Sequence, residues 1–270
     1  MPETPSNWTG AYADLVDRNI GFITAEQQER LREAKVAVFG LGGIGGTAFE
    51  VLVRTGIGRF SIVDRDVFEA SNMNRQVFAN RHTTGRRKID VAKECALAIN
   101  PGAEVEAFDH VDEQNIDDVL RGADAAVLGI DSPGPCIVAS RACRQRDVPL
   151  VEGWAIPFLN VRVFTKDTPS LEEAYGLGTE GRRVADLSAE ELDRIGMAVF
   201  EQLADSGIRA FYSEDAVRRL HAGEVVSFGP VVRLTGCAMA LEVVKVLLAW
   251  GKPPLAPRVA MYDPFAHRVP

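Results

Sequence analysis

Lys35-Val-Ala-Val-Phe-Gly40-Leu-Gly42-Gly43-Ile-Gly45-Gly46 is the stretch whose reading decides the fold. A continuous apolar run closed by glycine reads as a buried strand. The G-x-G-x-x-G turn that follows opens a helix running through Arg54. Glycines at such a turn let the backbone approach a phosphate, and the helix start presents free N–H groups and a positive dipole end. Arg59 to Val63 is a second buried strand, closing at Asp64, where a carboxylate can accept hydrogen bonds from a ribose. Strand, turn, helix and acid in this order specify a nucleotide. Taken alone they fit a dinucleotide oxidoreductase by default.

The same rhythm continues outward. Residues 87–99 read as a helix stopped by Asn100-Pro101, because proline disfavours helix at the residue before it. A strand over 104–108, a short helix over 114–121 and a buried strand over 123–130, ending at Asp131, come next. A helix over 135–146 leads to strands at 149–151 and 160–164. Strands alternating with helices predict an α/β fold: a Rossmann-like, mostly parallel sheet with helices on both faces. Upstream, Thr24-Ala-Glu-Gln27 has the capping-box pattern and begins a helix ending near Ala34. Downstream, Ser188-Ala-Glu-Glu191 and Ser213 start two helices that break the α/β rhythm. An apolar helix over 236–250 and a strand over 258–262 close the chain. The expected organisation is one domain over 1–270: arm and helix (1–34), nucleotide-binding core (35–164), helical insertion (165–226), closing helix and strand (227–270).

Composition removes several other classes. The chain has 270 residues and a net charge of −8, so clustered cations for a nucleic-acid backbone are not favoured. No apolar stretch reaches the ~18 residues of a membrane span. The first residues lack the basic-then-apolar pattern of a secretory signal. Cys95, Cys136, Cys143 and Cys237 form no C-x-x-C pair, which fits a reduced cytoplasm and no disulfide scaffold.

Three features then choose among nucleotide chemistries. Asn72-Met-Asn-Arg75-Gln76 follows the second strand, Lys88 opens the next helix, and Asp131 ends a later strand on the usual ligand side of an α/β sheet. They supply two cations for phosphate and one carboxylate able to hold Mg²⁺. A hydride-transfer enzyme has no use for that set, because its pyrophosphate is never cleaved.

Here the chain resembles the ThiF-like (HesA/MoeB/ThiF) adenylyltransferases, which activate ubiquitin-like sulfur carriers and are related to ubiquitin-activating enzymes. The resemblance spans roughly residues 18–165 and 229–263. It rests on Gly40-Leu-Gly-Gly-Ile-Gly-Gly46, Asp64-Arg-Asp66, Asn72-x-x-Arg75-Gln76, Lys88, Asp131 and Met261-Tyr262-Asp263. It implies ATP and Mg²⁺ as cofactors and a carboxylate substrate, the C-terminus of a small protein or peptide, activated as an acyl-adenylate. By the same resemblance Gly40, Gly42, Gly43 and Gly45 border the phosphates, and Asp64, with Asp66 beside it, holds the ribose. Asn72, Gln76, Arg75 and Lys88 serve the phosphate side, and Asp131 positions Mg²⁺. An arginine of the N-terminal arm reaches the other subunit's site in this family; Arg18 is the candidate, which implies a homodimer.

The sequence also departs from the family. Two C-x-x-C pairs that hold zinc in many members are missing, so no tetrathiolate zinc site is expected. No cysteine lies between Arg144 and Gly236, so adenylation is expected without a crossover thioester. Cys237, Cys136 and Cys143 read as packing residues, the last two on one helix face. The four histidines (His82, His110, His221, His267) show no metal spacing. Trp154, just past a strand end, lies where the family has small residues and is a candidate for lining the substrate pocket. Three other readings stand beside the leading one. They are a relative that activates a carboxylate on modified tRNA for cyclising dehydration, a catalytically inactive partner subunit, and an NAD-dependent oxidoreductase.

Overall fold

A computed structural model describes residues 7–205, 212–222, 224 and 226–264. Five strands run parallel: β1 (Lys35–Phe39), β2 (Arg59–Val63), β3 (Glu104–Phe108), β4 (Ala125–Leu128) and β5 (Leu150–Trp154). Two more, β6 (Asn160–Phe164) and β7 (Ala260–Met261), add antiparallel, giving the order β3-β2-β1-β4-β5-β6-β7. The inner strands β1, β4 and β5 are buried almost throughout because helices cover both faces, whereas the edge strand β3 exposes Glu104 and Glu106.

One face carries α2 (Ala25–Glu33), α3 (Gly43–Arg54), α4 (Lys88–Ile99) and α10 (Gly229–Leu247), packed on Val36, Val38, Phe60, Ile62, Val127 and Val151. The other carries α5 (Ile116–Val119), α6 (Pro133–Gln145) and α7 (Leu171–Tyr175), packed on Ala37, Phe39, Leu128 and Leu150. Between β6 and α10 the chain also passes through α8 (Ala189–Asp205) and α9 (Glu214–His221), and the described residues there add no strand to the sheet. An N-terminal helix, α1 (Gly10–Val16), precedes α2.

The capping signals decide several helix starts. Thr24 Oγ1 accepts from the Gln27 amide and Gln27 Oε1 from the Thr24 amide, closing the expected box. Ser188 and Glu191 make the same reciprocal pair, and Ser213 Oγ accepts from Ala216. An identical box at Ser170 and Glu173 starts α7, which the sequence reading passed over. The last long helix starts at Gly229, seven positions before the expected Gly236. Pro230 is the reason: in the first turn its missing N–H has no partner to lose.

That longer helix also corrects the placement of Cys237. The inward row of α10 is Val232, Thr235, Gly236, Met239, Ala240 and Val243, which leaves Cys237 on the outer side and exposed. Cys136 and Cys143 are buried on α6 as expected, and burial pushes the Cys143 thiol up to about 12. His267 lies outside the described residues, and His82 is an exposed loop residue whose amide donates to Asn80.

The glycine turn is held by backbone packed on backbone. Gly40 has φ +90, and a Cβ there would sit 2.6 Å from the Gly129 carbonyl oxygen. A Cβ on Gly45 would overlap the Gly40 carbonyl oxygen. Gly42 is different: a Cβ there would meet only Gln76 Nε2, at 4.0 Å. Gly45→Ala should therefore cost about 1–3 kcal/mol of folding free energy through overpacking. Gly42→Ala should leave the urea midpoint within error and weaken ATP binding instead. Equal losses of stability in the two variants would contradict this division.

Candidate active site

The ligand side of a parallel sheet lies beyond the carboxyl ends of its strands. Asp64 follows β2, the glycine turn follows β1, and Asp131 follows β4, so the strand order places the three side by side. Asp64 is the anchor. Its Oδ2 accepts from the Leu41 amide at 2.7 Å and its Oδ1 from the Asp66 amide at 2.9 Å. The carboxylate is thus fixed against the first residues of the glycine turn and keeps lone pairs for a further donor. Burial pushes its pKa up, and the Lys88 ammonium, 4.0 Å away, works in the opposite direction.

Lys88 is the first residue of α4, where its own amide donates to the Asp66 carbonyl. Its side chain is buried and its Nζ donates to Asp66 Oδ2 at 2.9 Å. The ammonium therefore sits between two carboxylates, placed before any ligand arrives. Arg75 is half-buried, its Nη1 donating to the Ser71 carbonyl and Asn74 Oδ1, both at 2.9 Å. Burial lowers its pKa and the Asp131 carboxylate raises it, and Arg75 Cγ lies 3.4 Å from where a Cβ on Gly43 of the glycine turn would stand.

The remaining sequence candidates divide. Asn72 is buried and turned onto its own loop: Oδ1 accepts from the Glu69 amide, and the Asn72 carbonyl receives the Arg75 and Gln76 amides. It shapes the loop that carries Arg75. Gln76 is buried beside Gly42, and its Oε1 has no hydrogen-bond partner. The space opposite Gly43 is filled by Val232 of α10, 2.5 Å from where a Cβ would stand. Asp131 is exposed at the rim.

Arg18 is not brought to this site. Its side chain is 98% exposed, and its Nε pairs with Asp17 Oδ2 at 3.5 Å. Its neighbour Asn19 donates to the Thr55 carbonyl, past the C-terminal end of α3. The glycine turn is at the other end of that helix, about 18 Å away at 1.5 Å per residue. Sequence reasoning missed Gly129, whose only signal was its place at the end of β4, because what demands a glycine there is the approach of Gly45 from another element.

The raised pKa of Asp64 has a pH consequence. Its ionised form, the better acceptor for a ribose, is lost at a higher pH than for an ordinary aspartate. Folding stability changes with the same group: the folded state holds this proton more tightly, so stability declines as pH rises from the usual Asp value through the raised one. Adenosine affinity, measured calorimetrically because adenosine has no phosphate to titrate, should fall on acidification, starting at a higher pH than an ordinary aspartate would cause. Asp64→Asn should bind adenosine weakly and with a flat pH profile. It should also be less stable, since an amide NH₂ would face the Leu41 or Asp66 N–H and leave one donor unmatched, at about 1–3 kcal/mol.

Known proteins resemble this chain along most of its length. The ThiF family profile matches residues 16–270. A sulfur carrier protein adenylyltransferase of Thermus thermophilus is 30% identical over 259 residues, covering 95% of this chain and 85% of that protein. A tRNA threonylcarbamoyladenosine dehydratase of Bacillus subtilis is 29% identical over 201 residues, covering 71% and 70%. Among solved structures, PaaA superposes with a TM-score of 0.71 at 20% identity, over 100% of this chain and 75% of that one. Escherichia coli MccB with MccA-N7isoASN follows at 0.67 and 20%, over 97% and 72%. At that identity the two structures speak for the fold alone. The family match spans nearly the whole sequence and takes in the glycine turn, Asp64, Arg75, Lys88 and Asp131, so the chain belongs to the ThiF family.

Proposed function

We propose that this chain is one adenylation domain that uses ATP and Mg²⁺ to convert a carboxylate, the C-terminus of a small protein or peptide, into an acyl-adenylate with release of pyrophosphate. The observation that carries the reading is the cation pair Arg75 and Lys88 set with Asp131 around the glycine turn. Relatives named as adenylyltransferases support it.

The residues fit the ligands. The open face at Gly42 and the unpartnered Oε1 of Gln76 leave room and an unused polar group where phosphates would lie. Asp64 keeps acceptor capacity for the ribose after taking two amides. Asp64, Asp66 and Asp131 already outnumber the two cations, and the nucleotide's phosphates would add further negative charge, which a divalent ion would offset. No three acidic, histidine or cysteine side chains converge among the described residues. Magnesium on a nucleotide needs only one or two carboxylates, since phosphates and water complete its shell. When bound beside Asp131, it would shield the phosphates from the incoming carboxylate and stabilise charge on the departing oxygens.

In the reaction a carboxylate oxygen forms a bond to the α-phosphorus, and the bond from that phosphorus to the pyrophosphate oxygen breaks with its electron pair. Two anions must meet. Lys88 and Arg75 lower that repulsion because their charges are already in place and partly desolvated, so little reorganisation is required. The substrate is already ionised and needs no general base; most of the work is positioning.

The subunit arrangement proposed is a homodimer in which Arg18 reaches the partner's site, a cytoplasmic location following from free thiols. No zinc and no crossover thioester are invoked. No helix of the described residues is long and apolar enough to cross a membrane. A second reading, carboxylate activation on modified tRNA, is favoured by the Bacillus subtilis relative. The net charge of −8 and the fuller coverage of the Thermus thermophilus relative favour a protein or peptide substrate.

ATP–pyrophosphate exchange with Mg²⁺ tests the reading. Exchange should depend on one added carboxylate and vanish in Asp131→Ala. Arg75→Ala and Lys88→Ala should each lower kcat by about 10²–10³-fold. Exchange with modified tRNA and with no peptide would move the assignment to the second reading. Arg18→Ala should also be slow while binding ATP within severalfold of the parent. Mixing Arg18→Ala with Asp131→Ala subunits should restore part of the activity, and absence of recovery would refute action across subunits.

A further inference from the structure

The strand after Asp131's own ends in a buried charged assembly that the reaction described above does not use. Glu152 and Arg162 face each other in the β5–β6 register, both buried, with Arg162 Nε donating to Glu152 Oε2 at 2.7 Å. Tyr175 of α7 donates its hydroxyl to Glu152 Oε1 at 3.0 Å. The guanidinium lies between two rings, 4.4 Å from the Tyr175 centroid and 4.8 Å from that of Phe164. Burial and the Glu152 carboxylate push the Tyr175 phenol up, so it stays a neutral donor. Charge, hydrogen bonds and ring faces are all matched, which fixes these side chains to one arrangement.

Trp154 stands two residues beyond Glu152 and so on the same face of β5. Its Nε1 is fully buried beside the Tyr175 hydroxyl, with no partner in hydrogen-bonding geometry, while the residue as a whole is half-buried. The Cys136 thiol of α6 donates to the Ile130 carbonyl at 3.2 Å, one residue before Asp131. Along the carboxyl ends of β2, β1, β4 and β5 the residues are Asp64, the glycine turn, Asp131 and Trp154. Neighbouring strands are about 4.8 Å apart. The position after ribose, phosphates and metal is the indole.

We propose that Trp154 is a specificity-determining residue, its half-buried side chain the wall along which the tail of the carboxylate substrate lies, with Glu152, Arg162 and Tyr175, the buried unit beside it, as positioning residues. The inference rests on the adenylyltransferase reading above. A broad, immobile ring beside the reacting carboxylate admits a tail with little or no side chain next to its terminus and obstructs a branched one. A buried ion pair is weak evidence for stability as such, because desolvation offsets the attraction. Its value here is to keep the wall from yielding.

The test uses ATP–pyrophosphate exchange on the full chain with peptides ending in Gly-Gly, Ala-Gly and Leu-Gly. The parent should prefer Gly-Gly over Leu-Gly in kcat/KM by about tenfold or more, the scale of pocket discrimination for small apolar groups. Trp154→Ala should reduce that ratio to about twofold with ATP affinity unchanged. Tyr175→Phe should raise the peptide KM several-fold at nearly constant kcat, with a lowered ratio, an effect that simple destabilisation would not produce. If the alanine variant fails to bind ATP, Trp154→Phe, with an intermediate ratio, and Tyr175→Phe carry the test. An unchanged ratio in variants that bind ATP overturns the inference while the parent's exchange upholds the function. No exchange by the parent with any peptide overturns the functional reading and this inference with it.

Discussion

Everything at the ligand end of this molecule depends on how closely α3 lies against the ends of β1 and β4. Gly40, Gly45 and Gly129 meet backbone to backbone, with no side chain between helix and sheet. The opposite side of the helix start is pinned in the same way. A Cβ on Gly236 of α10 would stand 2.6 Å from the Ile44 carbonyl oxygen, and Val232 fills the space at Gly43. Held from both sides, the first turn of α3 cannot tilt. Its free amides and dipole end are therefore directed at one point, which is what phosphate binding requires.

The charged residues take their positions from that contact. Leu41, inside the turn, donates to Asp64, and Asp64 receives Asp66, whose side chain and carbonyl both engage Lys88. The result is a chain of four residues from β1 to α4 in which each polar group is oriented by the one before it. Lys88 is buried between the Asp64 and Asp66 carboxylates, so its position is set by two ion pairs. Such a site is organised before substrate arrives, and preorganised charge is the main catalytic resource in transfers at phosphorus.

The N-terminal arm belongs to the other end of the molecule. Tyr12 donates to the Gly56 carbonyl, and Gln28 reaches both the Tyr12 hydroxyl and the Thr55 carbonyl. Glu29 gathers Trp8, Asn7 and Arg32, and with these donors, Arg32 foremost, its pKa falls to about 2. The arm is firmly fastened, yet it holds Arg18 in solvent away from its own chain's site.

The sequence by itself determined the parts that obey local rules. The glycine turn, the alternation of elements, the boxes at Thr24 and Ser188 and the stop at Asn100 are legible because strand period, capping and turn chemistry act within a few residues, while the roles of Asp64, Arg75, Lys88 and Asp131 came from the family resemblance. Only the tertiary structure decided which strands are neighbours, and hence that Asp64, Asp131 and Trp154 share one row. It also decided that Gly129 must be a glycine, that Cys237 faces outward and that Glu152, Arg162 and Tyr175 form one unit. Each of these is set by a contact between residues far apart in the chain, for which no local periodicity exists. A buried glutamate and a buried arginine ten positions apart read as two ordinary surface charges until the β5–β6 register puts them face to face.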